Sequence, residues 1–126
     1  MLNMNKTVLI ADDEKNILIS LEFLMKREGY RVVVANDGQE AIDAIQRENP
    51  DLVLLDVMMP KKTGLDVCQE IRANPTFNDM PILMLTAKGR DTDIAKGMAM
   101  GANDYVVKPF STRELAVKVR NMLGEI

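Results

Sequence analysis

Leu52-Val53-Leu54-Leu55-Asp56 is an apolar run that stops at a carboxylate, and three other runs in the chain have the same form. Val8-Leu9-Ile10-Ala11 ends in Asp12-Asp13-Glu14, Ile82-Leu83-Met84-Leu85 ends in Thr86, and Tyr105-Val106-Val107 ends in Lys108-Pro109. Short uninterrupted apolar runs bounded by polar punctuation read as strands covered on both faces. If they are parallel strands of one sheet, their carboxyl ends lie along one edge. The carboxylates of Asp12, Asp13 and Asp56, the Thr86 hydroxyl and the Lys108 ammonium then share one pocket. Such a pocket has the parts for a divalent cation and an aspartyl nucleophile.

Working outward, strand-like and helix-like segments alternate five times along the sequence. The first strand is about Thr7–Ala11. A helix follows at about Lys15–Glu28, with Ile17, Leu18, Leu21, Leu24 and Met25 at helical spacing and Gly29 as its stop. Arg31–Ala35 is the second strand. Asp37 is placed to N-cap a helix reaching about Glu48 that buries Ala41, Ile42 and Ile45, and Asn49-Pro50 closes it. After the third strand, Leu52–Leu55, a loop with Pro60 and Gly64 leads to a helix at about Gly64–Ala73. Pro81–Leu85 is the fourth strand. The helix after it, about Asp91–Met100, is expected to turn Ile94, Ala95 and Met98 inward. Asp104–Val107 is the fifth strand. Ser111 or Thr112 caps a last helix to about Leu123, and Ser111 with Glu114 has capping-box spacing. Strict alternation of this kind argues a parallel sheet with helices on both faces and right-handed crossovers.

The bulk properties exclude several classes. A chain of 126 residues, 47% apolar and 28% charged, is one domain's worth of ordinary globular sequence. A net charge of −3 carries no footprint for nucleic acid. No apolar stretch approaches the ~20 residues of a membrane span. The start, Met1 to Lys6, has no long apolar segment, so a secretory leader is not expected. With no histidine, Ser-His and Cys-His nucleophile pairs and the common zinc sites are absent. Cys68 is the only cysteine, which fits a reducing compartment such as the cytoplasm. Its position near Leu65 and Ile71 makes it a packing residue. The ten methionines are scattered and read as core filler.

The constellation of Ala11-Asp12-Asp13-Glu14, Leu54-Leu55-Asp56-Val57-Met58-Met59-Pro60, Gly64, Leu85-Thr86-Ala87, Gly101-Ala102-Asn103-Asp104-Tyr105 and Lys108-Pro109-Phe110 resembles the receiver domain of bacterial two-component response regulators. The likeness spans essentially the whole chain as a single receiver domain, 1–126, and is closest in kind to the chemotaxis regulators. It implies a three-layer doubly wound (βα)5 sandwich with a flavodoxin-like parallel sheet of order 2-1-3-4-5. It implies a phosphorylation-dependent switch, not a classical enzyme. Asp56 would be the phosphoacceptor. Asp13, Asp56 and the Met58 backbone carbonyl would ligate Mg²⁺ (or Mn²⁺), with Asp12 holding the metal's waters. Thr86 and Lys108 would bind the phosphoryl oxygens, and Thr86 and Tyr105 would carry the switch. The donor would be a sensor histidine kinase or a phosphotransfer protein. The surface that changes would be the fourth helix, fifth strand and fifth helix. Met58 and Lys88 stand where the family controls attack by water on the acyl phosphate.

Rival chemistries lack their parts. A haloacid-dehalogenase-type hydrolase needs a second acid two residues after the nucleophile, where this chain has Met58. A flavodoxin's phosphate loop would meet repulsion from Asp12-Asp13-Glu14. There is no G-x-x-x-x-G-K-[ST]. The output stays open between a stand-alone regulator and the receiver of a longer protein. For a homodimer of the winged-helix regulator kind, Lys96 with Glu114 and Asp104 with Lys118 stand at two cross-pair positions, while Ala99 replaces the acid of the third. The resemblance gives this domain no membrane or direct nucleic-acid contact.

Overall fold

The computed structural model describes residues 6–124. Met1–Asn5, read above as no leader, lies outside the described residues. Strands β1 (Thr7–Ala11), β2 (Arg31–Ala35), β3 (Leu52–Asp56), β4 (Ile82–Ala87) and β5 (Asp104–Lys108) alternate with α1 (Lys15–Arg27), α2 (Gly38–Glu48), α3 (Gly64–Ala73), α4 (Asp91–Ala99) and α5 (Thr112–Met122). The strands form one parallel sheet in the order β2-β1-β3-β4-β5. This is the flavodoxin-like order expected from the sequence.

Side chains alternate across the sheet because the strand period is two. Val8, Ile10, Leu52, Leu54, Leu83, Leu85 and Val106 therefore meet Leu18, Leu21, Leu24 and Met25 of α1 and Leu115 and Val119 of α5. Leu9, Ala11, Val53, Leu55, Ile82 and Met84 face the other way, onto Ala41 and Ile45 of α2 and Val67, Cys68 and Ile71 of α3. Every residue of β1 and β3 is buried, as uninterrupted apolar runs require.

The expected caps form. Asp37 accepts from Glu40 N (2.8 Å), and Ser111 Oγ accepts from Glu114 N (3.2 Å). A reciprocal capping box forms at α3, where Thr63 Oγ1 accepts from Asp66 N and Asp66 Oδ2 from Thr63 N, each at 3.1 Å. Asn49 closes α2 in the left-handed region (φ 45°).

Two expectations are corrected. Strand β3 runs on through Asp56, β4 through Thr86 and Ala87, and β5 through Lys108, because Asp56 pairs with Leu85, Thr86 with Val107 and Ala87 with Lys108. Asp56 and Lys108 sit on the last rung of their strand pairs and Thr86 on the one before its strand's last, so the site residues lie within the sheet and not beyond it. The α4 stripe is also rotated. Ala95 and Met98 are exposed, Ile94 is half-buried, and Gly97 is the buried residue of this helix. A Cβ at Gly97 would lie 3.5 Å from Met84 Cε and Cγ. The helix docks its smallest residue on Met84, which turns Met98 toward solvent.

Leu83 is fully buried, whereas Met98 is 41% exposed. Leu83→Ala is expected to cost about 2–5 kcal/mol of unfolding free energy in urea. Met98→Ala is expected to stay within about 0.5 kcal/mol. A comparable loss at Met98 would restore the inward stripe read from the sequence.

Candidate functional site

The register assembles the site. Strand β1 lies beside β3 with Ala11 opposite Leu55, so Asp12 follows next to Asp56. Asp56 is itself opposite Leu85, one residue before Thr86. Asp12, Asp56 and Thr86 are buried, and Asp13 is exposed. One carboxylate oxygen from each of Asp12, Asp13 and Asp56 lies within 4.8 Å of the other two.

Lys108 reaches into this cluster from the end of β5. Its Nζ donates to Asp12 Oδ2 (2.9 Å) and Glu14 Oε1 (3.2 Å) and pairs with Asp56 Oδ1 at 3.4 Å. Burial alone would lower the Lys108 pKa, but its bond to Asp12, the charges of Asp56 and Asp12 and its bond to Glu14 outweigh that and raise it. Asp56 is pushed up to about 7, first by burial and then by the Asp12 carboxylate, with Lys108 pulling the other way. Glu14 is a partner the sequence reading passed over; its place in the acidic triplet was the available signal.

The remaining groups are unequally engaged. Asp12 is fixed at both oxygens, since Oδ1 accepts from Glu14 N (2.9 Å). Asp13 has no hydrogen bond or ion pair with the described residues. Thr86 Oγ1 is buried and has no hydrogen-bond partner among them either. A buried unpaired hydroxyl costs about 1–3 kcal/mol, so its retention points to a ligand oxygen. The donor set is all hard oxygen, which suits a hard divalent cation. Gly64 closes the floor of the site. A Cβ there would lie 2.9 Å from Asp56 C and Val57 Cα, and closer still to Asp56 O.

Residues 8–120 match the family model of the response regulator receiver domain. The chain belongs to that family. Its fold superposes on a protein of Chloroflexus aurantiacus J-10-fl assigned as a response regulator (TM-score 0.91, 38% identity, 95% of this chain and 98% of that one). The chemotaxis protein CheY4 of Vibrio cholerae is similar at TM-score 0.87 and 31% identity, covering 94% and 98%. So is the receiver domain of the sensor histidine kinase PA1611 of Pseudomonas aeruginosa PAO1, which holds a magnesium ion in its active site cleft (TM-score 0.88, 30% identity, 95% and 98%).

Other residues named from the sequence of this receiver make contacts outside the cluster. Tyr105 pairs with Met84 across the sheet and is 37% exposed on β5. Its carbonyl accepts from Lys118 Nζ (2.8 Å), whose ammonium stands 5.5 Å from the Tyr105 ring centroid. Asp104 and Lys118 pair within one chain at 3.5 Å. Met58 is 52% exposed, and its Sδ accepts from Arg90 Nη2 (3.4 Å), a contact that no local pattern signals. Lys88 is exposed. Among the described residues no helix is long and apolar enough to cross a membrane.

An acid whose folded pKa is raised binds protons in the folded state that the unfolded chain has released. Stability is then lost as pH rises from the unfolded pKa to the folded one, here from about 4 to about 7. Asp56→Asn is therefore expected to stabilise the fold in metal-free buffer at pH 8 by up to about 4 kcal/mol, read as a raised thermal midpoint. The gain should shrink toward pH 4. A midpoint at pH 8 no higher than wild type would contradict the buried like-charge pair.

Proposed function

We propose that this receiver is a phosphorylation-dependent switch of a two-component system, working in the cytoplasm, that accepts a phosphoryl group on Asp56. The single observation that carries the reading is Asp56 itself. It is a buried carboxylate with an ammonium 3.4 Å away, and its partner on the neighbouring strand, Leu85, is followed by Thr86 with its buried, unpartnered hydroxyl. The donor is the phosphohistidine of a sensor kinase or phosphotransfer protein, the partner class of this family.

Asp13, Asp56 and the Met58 backbone carbonyl would hold Mg²⁺ (or Mn²⁺), and Asp12, already fixed by Glu14 N and Lys108, would orient the metal's waters. The ion supplies charge neutralisation between the clustered acids and the incoming phosphoryl group. The magnesium in the cleft of the Pseudomonas receiver supports this assignment. Deprotonated Asp56 attacks phosphorus, the P–N bond of the donor breaks with its electron pair leaving on the imidazole, and an acyl phosphate forms. Lys108 and Thr86 Oγ1 donate to the new phosphoryl oxygens.

The acyl phosphate carries about −1.5 to −2 of charge where the carboxylate carried one, and it extends that charge onto three strong acceptor oxygens. Lys108 is drawn from Asp12 and Glu14, and Thr86 moves toward the new oxygens. Through β4 and β5 this shifts Tyr105 and the α4–β5–α5 face toward an already accessible arrangement. That face would carry the output and, where a homodimer forms, a second copy. With Asp104 and Lys118 already paired within one chain, a cross-pair there requires an exchange of partners. Neither a membrane nor nucleic acid is a direct partner of this domain on this reading.

Acetyl phosphate or beryllofluoride with Mg²⁺ is expected to modify wild type at one site. Asp56→Asn and Asp13→Ala should abolish the modification, the second through loss of the cation. Equal labelling of Asp56→Asn would overturn the assignment. Lys108→Ala is expected to separate modification from response: label still enters, while the amide shifts at Tyr105 and along α4 shrink severalfold. A wild-type shift pattern in that variant would remove Lys108 from the switch.

A further inference from the structure

The loop between β3 and α3, residues 57–63, holds an unusual backbone residue. Lys61 has φ 69°, in the left-handed region that disfavours a side chain. Such a conformation persists only where the surroundings impose it. The first turn of α2 packs directly against this loop. A Cβ at Gly38 would lie 2.5 Å from Lys62 C and Cβ, and closer still to Lys62 O. Gly38 N also faces Pro60 O at 3.4 Å, and Lys61 Nζ pairs with Asp37 Oδ2 at 3.6 Å. Lys62 Nζ bonds Glu70 of α3, which draws the same segment from the other side.

These contacts bear on the site through one short span. Val57 is pinned at both backbone groups, its N to Leu85 O (3.0 Å) and its O by Gly64 N (2.8 Å). Pro60 O is pinned by Lys62 N (2.8 Å) and by the approach of Gly38. Met58 and Met59 are the span between these pins. The position of the Met58 carbonyl is therefore set by where α2 stops the loop.

We propose that the first turn of α2 is a buttress for the cation site, with Gly38 as its positioning residue. The proposal rests on the assignment of the Met58 carbonyl as a ligand. Any side chain at Gly38 must displace either α2 or the loop. Helix α2 is held by buried Ala41, Ile42, Ala44 and Ile45 and by the Asp37 cap, whereas Lys61 and Lys62 lie on the surface side of the loop. The loop is the softer element and gives way, taking the Met58 carbonyl out of line with Asp13 and Asp56. The effect falls on cation affinity more than on folding.

The test is a Mg²⁺ titration of the unphosphorylated chain, followed by backbone amide shifts. Gly38→Ala is expected to weaken the Mg²⁺ Kd roughly 10-fold or more, the scale of losing support behind a ligand. Ala44→Gly, a destabilising change in the same helix away from the loop, should stay within about twofold of wild type, as general loosening does not misplace a ligand. Asp13→Asn should abolish binding. If Gly38→Ala does not fold, its combination with Lys61→Gly gives the loop a hinge that absorbs the methyl group, and the same weakening is expected. Wild-type affinity in either Gly38 variant, with binding lost in Asp13→Asn, overturns the buttress alone. Equal weakening by Ala44→Gly overturns it too, since the effect would then be general. Retained affinity in Asp13→Asn overturns the cation site and the buttress with it.

Discussion

Lys108 holds together a cluster that would otherwise repel itself. Asp12 and Asp56 are two buried carboxylates side by side, with Asp13 and Glu14 at the rim. Lys108 is the ammonium paired with Asp12, Glu14 and Asp56. Burial penalises each charge, and like charges in a poorly screened site penalise one another further. The outcome is visible at Asp56, pushed up to about 7. A fold selected for stability alone would not retain this arrangement, and strain of this kind belongs to functional sites.

The sheet order makes the cluster unavoidable. Placing β3 beside β1 sets Asp56 next to Asp12, and placing β5 beside β4 delivers Lys108 opposite Ala87. The same order divides the core between the two faces of the sheet. On one face α1 and α5 bury Leu18, Leu21, Leu24, Met25, Leu115 and Val119. On the other, α2 and α3 bury Ile42, Ile45, Val67 and Ile71, while α4 contributes Gly97 as its buried residue. An element with so little buried side chain opens at low free energy. The thinly held helix adjoins the strands that carry Thr86 and Lys108.

The legible features in the sequence were those written locally. Each site residue closes an apolar run, so strand identity and site membership came from the same few positions, and Asp37 and Ser111 stand where a cap must stand. The α4 phase was misread because Gly97, the residue that docks, has no side chain for apolar periodicity to weigh, while Met98 does. The strand ends fall short at Leu55, Leu85 and Val107 because polar residues signal a turn in isolation, yet the ladder continues through Asp56, Thr86 and Lys108. Lys61 at positive φ and the approach of Gly38 to Lys62 join segments distant in sequence. Neither has a local signature, and only the packed structure brings them together.

Under the proposed function, the two phosphoryl-facing groups contribute unequally to the switch. A hydrogen bond to a charged group is worth about 1.5–3 kcal/mol, and inverting a 1:99 population takes about 5.5 kcal/mol. Two such bonds come close to that figure only if nothing is given up to form them. Lys108 gives up a great deal, because its bonds to Asp12 and Glu14 weaken as it turns to the phosphoryl group. Its contribution is a difference between two charged pairings. Thr86 breaks no bond to the described residues, since its Oγ1 is buried without a partner among them. Its bond to the phosphoryl group is therefore not offset by a lost protein contact. The resting structure therefore holds part of the driving force for switching in Thr86, while Lys108 couples modification to response by trading its bonds to Asp12 and Glu14 for one to the phosphoryl group.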